Sequence, residues 1–321
     1  MKKFFKIVII NISIIVFLLY CTEIVFWLLE NIDQKKDVDK SKEYKEYPQD
    51  FSLPIPFNRK VRDFEYFRNT YESPRKYEIN KKTSKTKRPI LIFGCSFAYG
   101  LHLKNEQTFA YKLSNITERP IYNEAISGVA MQYMLYLTQS KDFYKKIPEP
   151  EHVIYVFMDD HFRRIMSCAC SSYDILKGYY NLRYKEENGK LTRVLIENDP
   201  FYLIKSTHTA MHLQSLFVSK FLLHDDDNEN CFDFAIKHFT ESRKEMQKHW
   251  KTQKYTIIIY RRFKKDRIFC KKLQDAGFNV IYIPGLQILD SSDMTHHFPD
   301  YHPKESAWDI ITPKIAEILN L

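Results

Sequence analysis

Glycine is scarce in this chain, 7 of 321 residues, so the places that use it carry information. Cysteine is sparse too: there are six, and none has the spacing of a zinc site. Cys168 and Cys170 form a C-x-C pair, Cys21 falls in an N-terminal apolar run, and Cys95, Cys231 and Cys270 stand apart. Small buried apolar residues are the expected use of most of them. The chain has no internal repeat and no low-complexity tract, which excludes repeat arrays and fibrous architectures. Long blocks of one charge sign are missing as well. Lys and Arg number 49 against 40 Asp and Glu, a net +9 spread along the sequence. That distribution argues against a nucleic-acid partner and suits a position near an anionic membrane surface. What remains, 44% hydrophobic and 28% charged residues, belongs to a globular chain with a full core.

The N-terminus holds the longest apolar run. Lys2, Lys3 and Lys6 precede residues 7–29, interrupted by Asn11, Ser13, Thr22 and Glu23. As a helix this run reaches about 34 Å, enough to cross a ~30 Å hydrocarbon core. It continues to Leu29 without a small-x-small cleavage site, and Leu19-Tyr20 ahead of Cys21 is too bulky for lipoprotein processing. The expectation is an uncleaved, single-pass anchor over residues 1–30 in the inner membrane. By the positive-inside rule its N-terminus is cytoplasmic and the rest of the chain extracytoplasmic. Residues 31–87, rich in Lys, Asp, Glu, Tyr and Pro, read as a juxtamembrane linker.

From residue 88 the pattern changes. Short apolar runs at 89–93, 121–126, 152–158, 255–260 and 280–283 predict buried strands. Helical spacing covers 106–116, 131–144, 232–250, 264–276 and 304–319. Residues 162–230 read as an irregular insertion or lid. Strands alternating with helices predict parallel βαβ units in a three-layer α/β/α domain over residues 88–321.

Two of the seven glycines bracket one serine in FGCSFAYG, residues 93–100. Ser96 follows the first strand by three residues, where functional residues of an open parallel sheet gather. A nucleophilic serine there needs an exposed side chain and a free backbone N–H for an oxyanion. Alone the pattern is weak, since structural turns also use glycine, and serine can cap a helix. Three further segments add specificity: Asn123-Glu124-Ala125-Ile126-Ser127-Gly128, Phe157-Met158-Asp159-Asp160 after a strand, and Pro299-Asp300-Tyr301-His302-Pro303 before the last helix. In this order and spacing the four segments resemble the SGNH/GDSL hydrolase superfamily, over roughly residues 89–321. Cys95 stands where the family's G-D-S has Asp. Ala125 replaces the first glycine of N-x-G-x-x-G, and Asp159 replaces the asparagine of G-x-N-D. Asp300 and His302 form a D-x-H that is shorter than the common D-x-x-H and similar to envelope members of the superfamily. Asp293-Met294-Thr295-His296 offers the longer spacing nearby.

The resemblance implies a mainly parallel, flavodoxin-like sheet. It implies Ser96 as nucleophile, His302 as general base and Asp300 as the residue that orients it. The oxyanion hole would use the N–H groups of Ser96 and Gly128 and the side chain at Asp159. No metal or organic cofactor is implied. The implied activity is serine esterase chemistry on O-acyl groups of envelope glycans, related carbohydrates or another small ester. O-acyl transfer to a glycan and a catalytically inactive SGNH-fold protein that binds glycan or an assembly partner are the alternatives. Asp159, with Cys95 and Ala125, favours the inactive reading, because an ionised carboxylate cannot donate a hydrogen bond to an oxyanion. Three arrangements are open: Asp159 held neutral by burial, Asp159 turned away with His161 or Asn123 donating instead, or a weakened enzyme. Asp159, Asp160 and His161, followed by Arg163 and Arg164, also suit a local ion network. Cys95 as attacking thiol is a further alternative, and the His296-His297 doublet with Asp293 or Asp300 has the composition of a metal cluster.

Overall fold

The computed structural model describes residues 86–165, 183–194 and 229–321 except 253, 288 and 290–292, together with residues 17, 18 and 21. Apart from residues 17, 18, 21, 86 and 87 the expected anchor (1–30) and linker (31–87) lie outside the described residues, as does most of the expected insertion, including Cys168 and Cys170. Among the described residues no helix is long and apolar enough to cross a membrane.

Five strands make the central sheet: β1 (Ile90–Gly94), β2 (Ile121–Asn123), β3 (His152–Phe157), β6 (Tyr255–Ile259) and β7 (Asn279–Tyr282). All pairings are parallel and the order is β2-β1-β3-β6-β7. Counted along the chain this is 2-1-3-4-5, the flavodoxin-like order, with its topological switch point between β1 and β3. β1, β3 and β6 read ILIFG, HVIYVF and YTIII and are buried at every position, as strands covered on both faces require. Leu91, Phe93, Tyr155, Phe157, Ile257 and Ile259 pack to one side. That face is covered by α3 (Met131–Thr138), α4 (Lys141–Lys146), α6 (Glu229–Gln247) and α7 (Asp266–Asp275). Ile90, Ile92, Ile154, Val156 and Ile258 pack to the other, under α2 (Phe109–Thr117) and α8 (Glu305–Leu319). Phe109 and Trp308 stack at 5.0 Å between these two helices, and Lys112 reaches Glu305 at 3.1 Å and Asp309 at 2.6 Å. The three-layer α/β/α architecture and its parallel sheet are those expected from the alternation of strands and helices in the sequence.

Two expectations are corrected. The helix expected over 131–144 is two helices. The Thr138 carbonyl, which would accept a bond in the next helical turn, is taken by the Tyr144 hydroxyl at 2.6 Å, and Ser140 turns extended (φ −89°, ψ 124°). The insertion is not irregular throughout. β4 (Arg183–Glu187) and β5 (Lys190–Val194) form an antiparallel hairpin that turns at Asn188 and Gly189 with φ of 51° and 77°. Positive φ at both central residues is the primed turn that Asn-Gly favours. The hairpin seats Tyr184 and Leu191 in the core, and the Tyr184 hydroxyl donates to Gln139 Oε1 at 2.8 Å.

Candidate active site

The site is built at the ends of β1, β2 and β3, beside the switch point. After β1 the chain turns directly into a four-residue helix, α1 (Ser96–Tyr99). The turn is tight enough to specify its residues. A Cβ on Gly94 (φ 151°) would lie 2.8 Å from Ala98 Cβ and 3.0 Å from the Val156 carbonyl. Gly100 takes left-handed φ 80° and gives its N–H back to Ser96 O and Phe97 O, ending the helix after one turn. Ser96 therefore stands at the first helical position, where a backbone N–H has no partner within the helix.

The loop after β2 is tied to this turn. Asn123 Nδ2 donates to Ala98 O at 2.9 Å, and its Oδ1 accepts the Ala125 N–H at 3.1 Å. Glu124 N–H bonds to Ile92 O at 2.8 Å and Ile126 N–H to Gly94 O at 3.3 Å, so the segment leading to Gly128 (φ 82°) runs alongside β1. Asn123 thus ties the loop after β2 to the turn that carries Ser96.

The Asp-His segment before α8 is a small hairpin. Tyr301 N–H bonds to Phe298 O, and Phe298 N–H bonds to His302 O, each at 2.8 Å. Tyr301 is left-handed at φ 66°, the third residue of a three-residue turn of the bulged type. This geometry brings Asp300 and His302 together across a single intervening residue, which accounts for the short D-x-H spacing. His302 Nε2 lies 2.7 Å from Ser96 Oγ. His302 Nδ1 lies 2.9 Å from Asp300 Oδ2; this is ion-pair distance, but the ring N–H is not aimed at the oxygen and Nδ1 makes no hydrogen bond. Asp300 Oδ1 accepts the His302 backbone N–H at 3.2 Å.

His102 joins this group, a residue the sequence reading did not single out. Its Nε2 lies 2.8 Å from the same Asp300 Oδ2, and its ring stands edge-on to His302 at 5.4 Å. Burial works against the Asp300 charge. The hydrogen bond with His102 and the close approach of His302, together with their positive charge when protonated, nevertheless hold its carboxyl well below the usual range.

The other named residues fall as follows. Cys95 is fully buried with Sγ 3.4 Å from Met158 Sδ, so it packs in the core while Ser96 meets the histidine. Cys231 and Cys270 are free thiols as well. His296 Nδ1 lies 3.0 Å from Ser306 Oγ. His297 is buried, placed 3.0 Å from the Tyr260 hydroxyl and 2.9 Å from the Asp293 carbonyl. That doublet is therefore occupied in the loop, and among the described residues the side chains with ligand atoms in common reach are instead His102, Asp300 and His302.

Asp159 follows β3. Its Oδ1 is buried with no hydrogen-bond partner, and Arg261 Nη1 lies 3.9 Å away. Burial raises its pKa, Arg261 opposes that rise, and neighbouring Asp160 adds to it. The expected ion network is present in altered form: Asp160 meets Arg164 at 3.5 Å across α5 (Asp160–Ile165), and Arg164 also bonds to Val129 O at 3.0 Å. His161 is fully buried with Nδ1 3.2 Å from the Tyr155 hydroxyl, and burial holds it neutral. Asn123 spends its amide on Ala98 O and the Ala125 N–H, and His161 faces Tyr155, so a neutral Asp159 and a weakened enzyme are the two arrangements left.

No protein-family model matches the chain, and no curated protein matches it. Among solved structures it is similar to TesA at 10% identity and TM-score 0.40, covering 72% of this chain and 98% of that one. A lipolytic protein of the G-D-S-L family from Veillonella parvula DSM 2008 is similar at 12% identity and TM-score 0.39, with the same coverage of 72% and 98%. A family two carbohydrate esterase from Clostridium thermocellum, solved with cellohexaose, is similar at 9% identity and TM-score 0.39, covering 76% and 67%.

Proposed function

We propose that this protein is a serine acyl-ester hydrolase of the SGNH type, held at the outer face of the inner membrane by residues 7–29 and acting on O-acylated carbohydrate. The observation that carries the chemistry is the contact of Ser96 Oγ with His302 Nε2 at 2.7 Å, with Asp300 2.9 Å behind the ring. Ser96 Oγ attacks the acyl carbon as its proton passes to His302 Nε2. The carbonyl oxygen becomes an oxyanion, met by the N–H groups of Ser96 and Gly128 and by the hydroxyl of a protonated Asp159. Collapse breaks the ester bond, and the proton on Nε2 goes to the leaving alcohol. Water, activated by the same nitrogen, then releases the acid. A sugar hydroxyl in place of water would make the reaction a transfer. The expected anchor supports a substrate at the membrane face, and it motivates the choice of an envelope carbohydrate.

One feature favours a second reading, a binding protein that has kept the fold and lost the reaction. An ionised Asp159 would repel the oxyanion, and Oδ1 is buried without a donor. A fluorophosphonate probe separates the two. Labelling of the folded parent is expected, with a loss of at least about 10³-fold in Ser96→Ala and His302→Ala. A well-folded parent that takes no label would overturn the hydrolase and leave the binding protein.

A further inference from the structure

We propose that His102, Asp300 and His302 form an inhibitory site for a divalent transition-metal ion, with zinc the best match. The binding rests on the geometry, and the inhibition rests on the reading of Ser96 as nucleophile. The three side chains offer two imidazole nitrogens and one carboxylate oxygen, all within 4.8 Å of one another. Two nitrogen ligands suit zinc and its neighbours, whereas calcium and magnesium prefer oxygen throughout. His102 Nε2 and His302 Nδ1 approach the same oxygen, Asp300 Oδ2, at 2.8 and 2.9 Å. Tetrahedral ligands at zinc distances stand about 3.3 Å apart, so these two contacts need to open by about half an ångström, while the two nitrogens already lie within 4.8 Å of each other. His302 Nδ1 makes no hydrogen bond to be broken. The side chains of His102 and Asp300 are 27% and 45% exposed, which gives a hydrated ion a way in and leaves the fourth position to water.

The outer contacts are in place as well. A metal-bound imidazole usually donates its second ring N–H to a nearby acceptor. For His302 that acceptor is Ser96 Oγ at 2.7 Å. The remaining Asp300 oxygen is held by the His302 backbone N–H at 3.2 Å. Binding moves protons without consuming any. Each neutral imidazole presents a lone pair to the metal and carries its one proton on the other nitrogen. For His302 the proton then sits on Nε2 and points at Ser96. A base already protonated at that atom cannot take the serine's proton, so the ion switches the nucleophile off without touching it.

The test uses the untagged full chain. Zinc chloride is titrated calorimetrically, and fluorophosphonate labelling is followed with and without zinc and after EDTA. One zinc per chain is expected, with labelling suppressed at least about tenfold and restored by EDTA; His102→Gln, whose amide can still donate to Asp300, should need about 10–100-fold more zinc. Absence of stoichiometric binding by the parent overturns the proposal, as does undiminished affinity in His102→Gln. Cobalt(II) gives a readout that needs no variant. Intense visible bands of a tetrahedral ion on the parent support the site, and the weak spectrum of an octahedral ion overturns it. A parent that binds one zinc through His102 but never labels keeps the metal site and overturns the inhibition together with the nucleophile reading.

Discussion

Asp159 is the residue on which the chemistry turns. It sits where the resembling family carries an amide donor, and burial shifts its carboxyl toward the neutral form while Arg261 resists. A neutral carboxyl donates to the oxyanion; an ionised one cannot. Its pKa is raised, so the donor is fully present at pH below the ordinary aspartate range and is lost as pH rises through the raised value. The labelling rate of the parent should therefore decline as pH rises through that value. Asp159→Asn donates at every pH and should remove that decline, with a gain toward the 10²–10³-fold worth of one oxyanion donor, about 2.7–4 kcal/mol. Parallel pH profiles for parent and variant would show that Asp159 plays no such part. At this scale Ser96, Asp300 and His302 were legible because glycine spacing and a His-Pro before a helix mark them. His102 was not. Nothing in LHLK signals a partner, and the contact to Asp300 spans 198 positions, so it exists only once the fold has closed.

Among the elements, the turn from β1 into α1 carries the most demand per residue. Gly94→Ala would set a methyl 2.8 Å from Ala98 Cβ and 3.0 Å from a backbone carbonyl, at φ 151°. The expected cost is about 1–3 kcal/mol for the backbone alone, read as a lower urea midpoint, and the displaced turn should slow labelling of Ser96 more than stability explains. Retained stability together with normal labelling would mean that the turn gives way elsewhere. The strands were legible because β1, β3 and β6 are nearly continuous apolar runs, the mark of a doubly covered sheet. The split of 131–144 was hidden, since a tyrosine hydroxyl taking the Thr138 carbonyl is a matter of packing. The β4–β5 hairpin was readable in principle from Asn188-Gly189 and was hidden by the charged residues around it, Glu186, Glu187 and Lys190.

For the whole molecule the proposed anchor makes a prediction separable from the chemistry. Removing residues 1–30 should release the chain from the membrane fraction while fluorophosphonate labelling of Ser96 persists. A truncated chain still found with membranes would count against residues 7–29 as the attachment. The pairing of Ser96 with His302 has a kinetic consequence of another kind. These residues are 206 positions apart, and the second is carried on the hairpin leading into α8, whose Trp308 stacks on Phe109 of α2. Closing so long a loop is among the slowest steps open to a chain of this topology. Collapse of the first strands exposes a serine with no base beside it. Reactivity toward the probe should thus lag behind the appearance of sheet structure during refolding, a clock for the docking of the last helix.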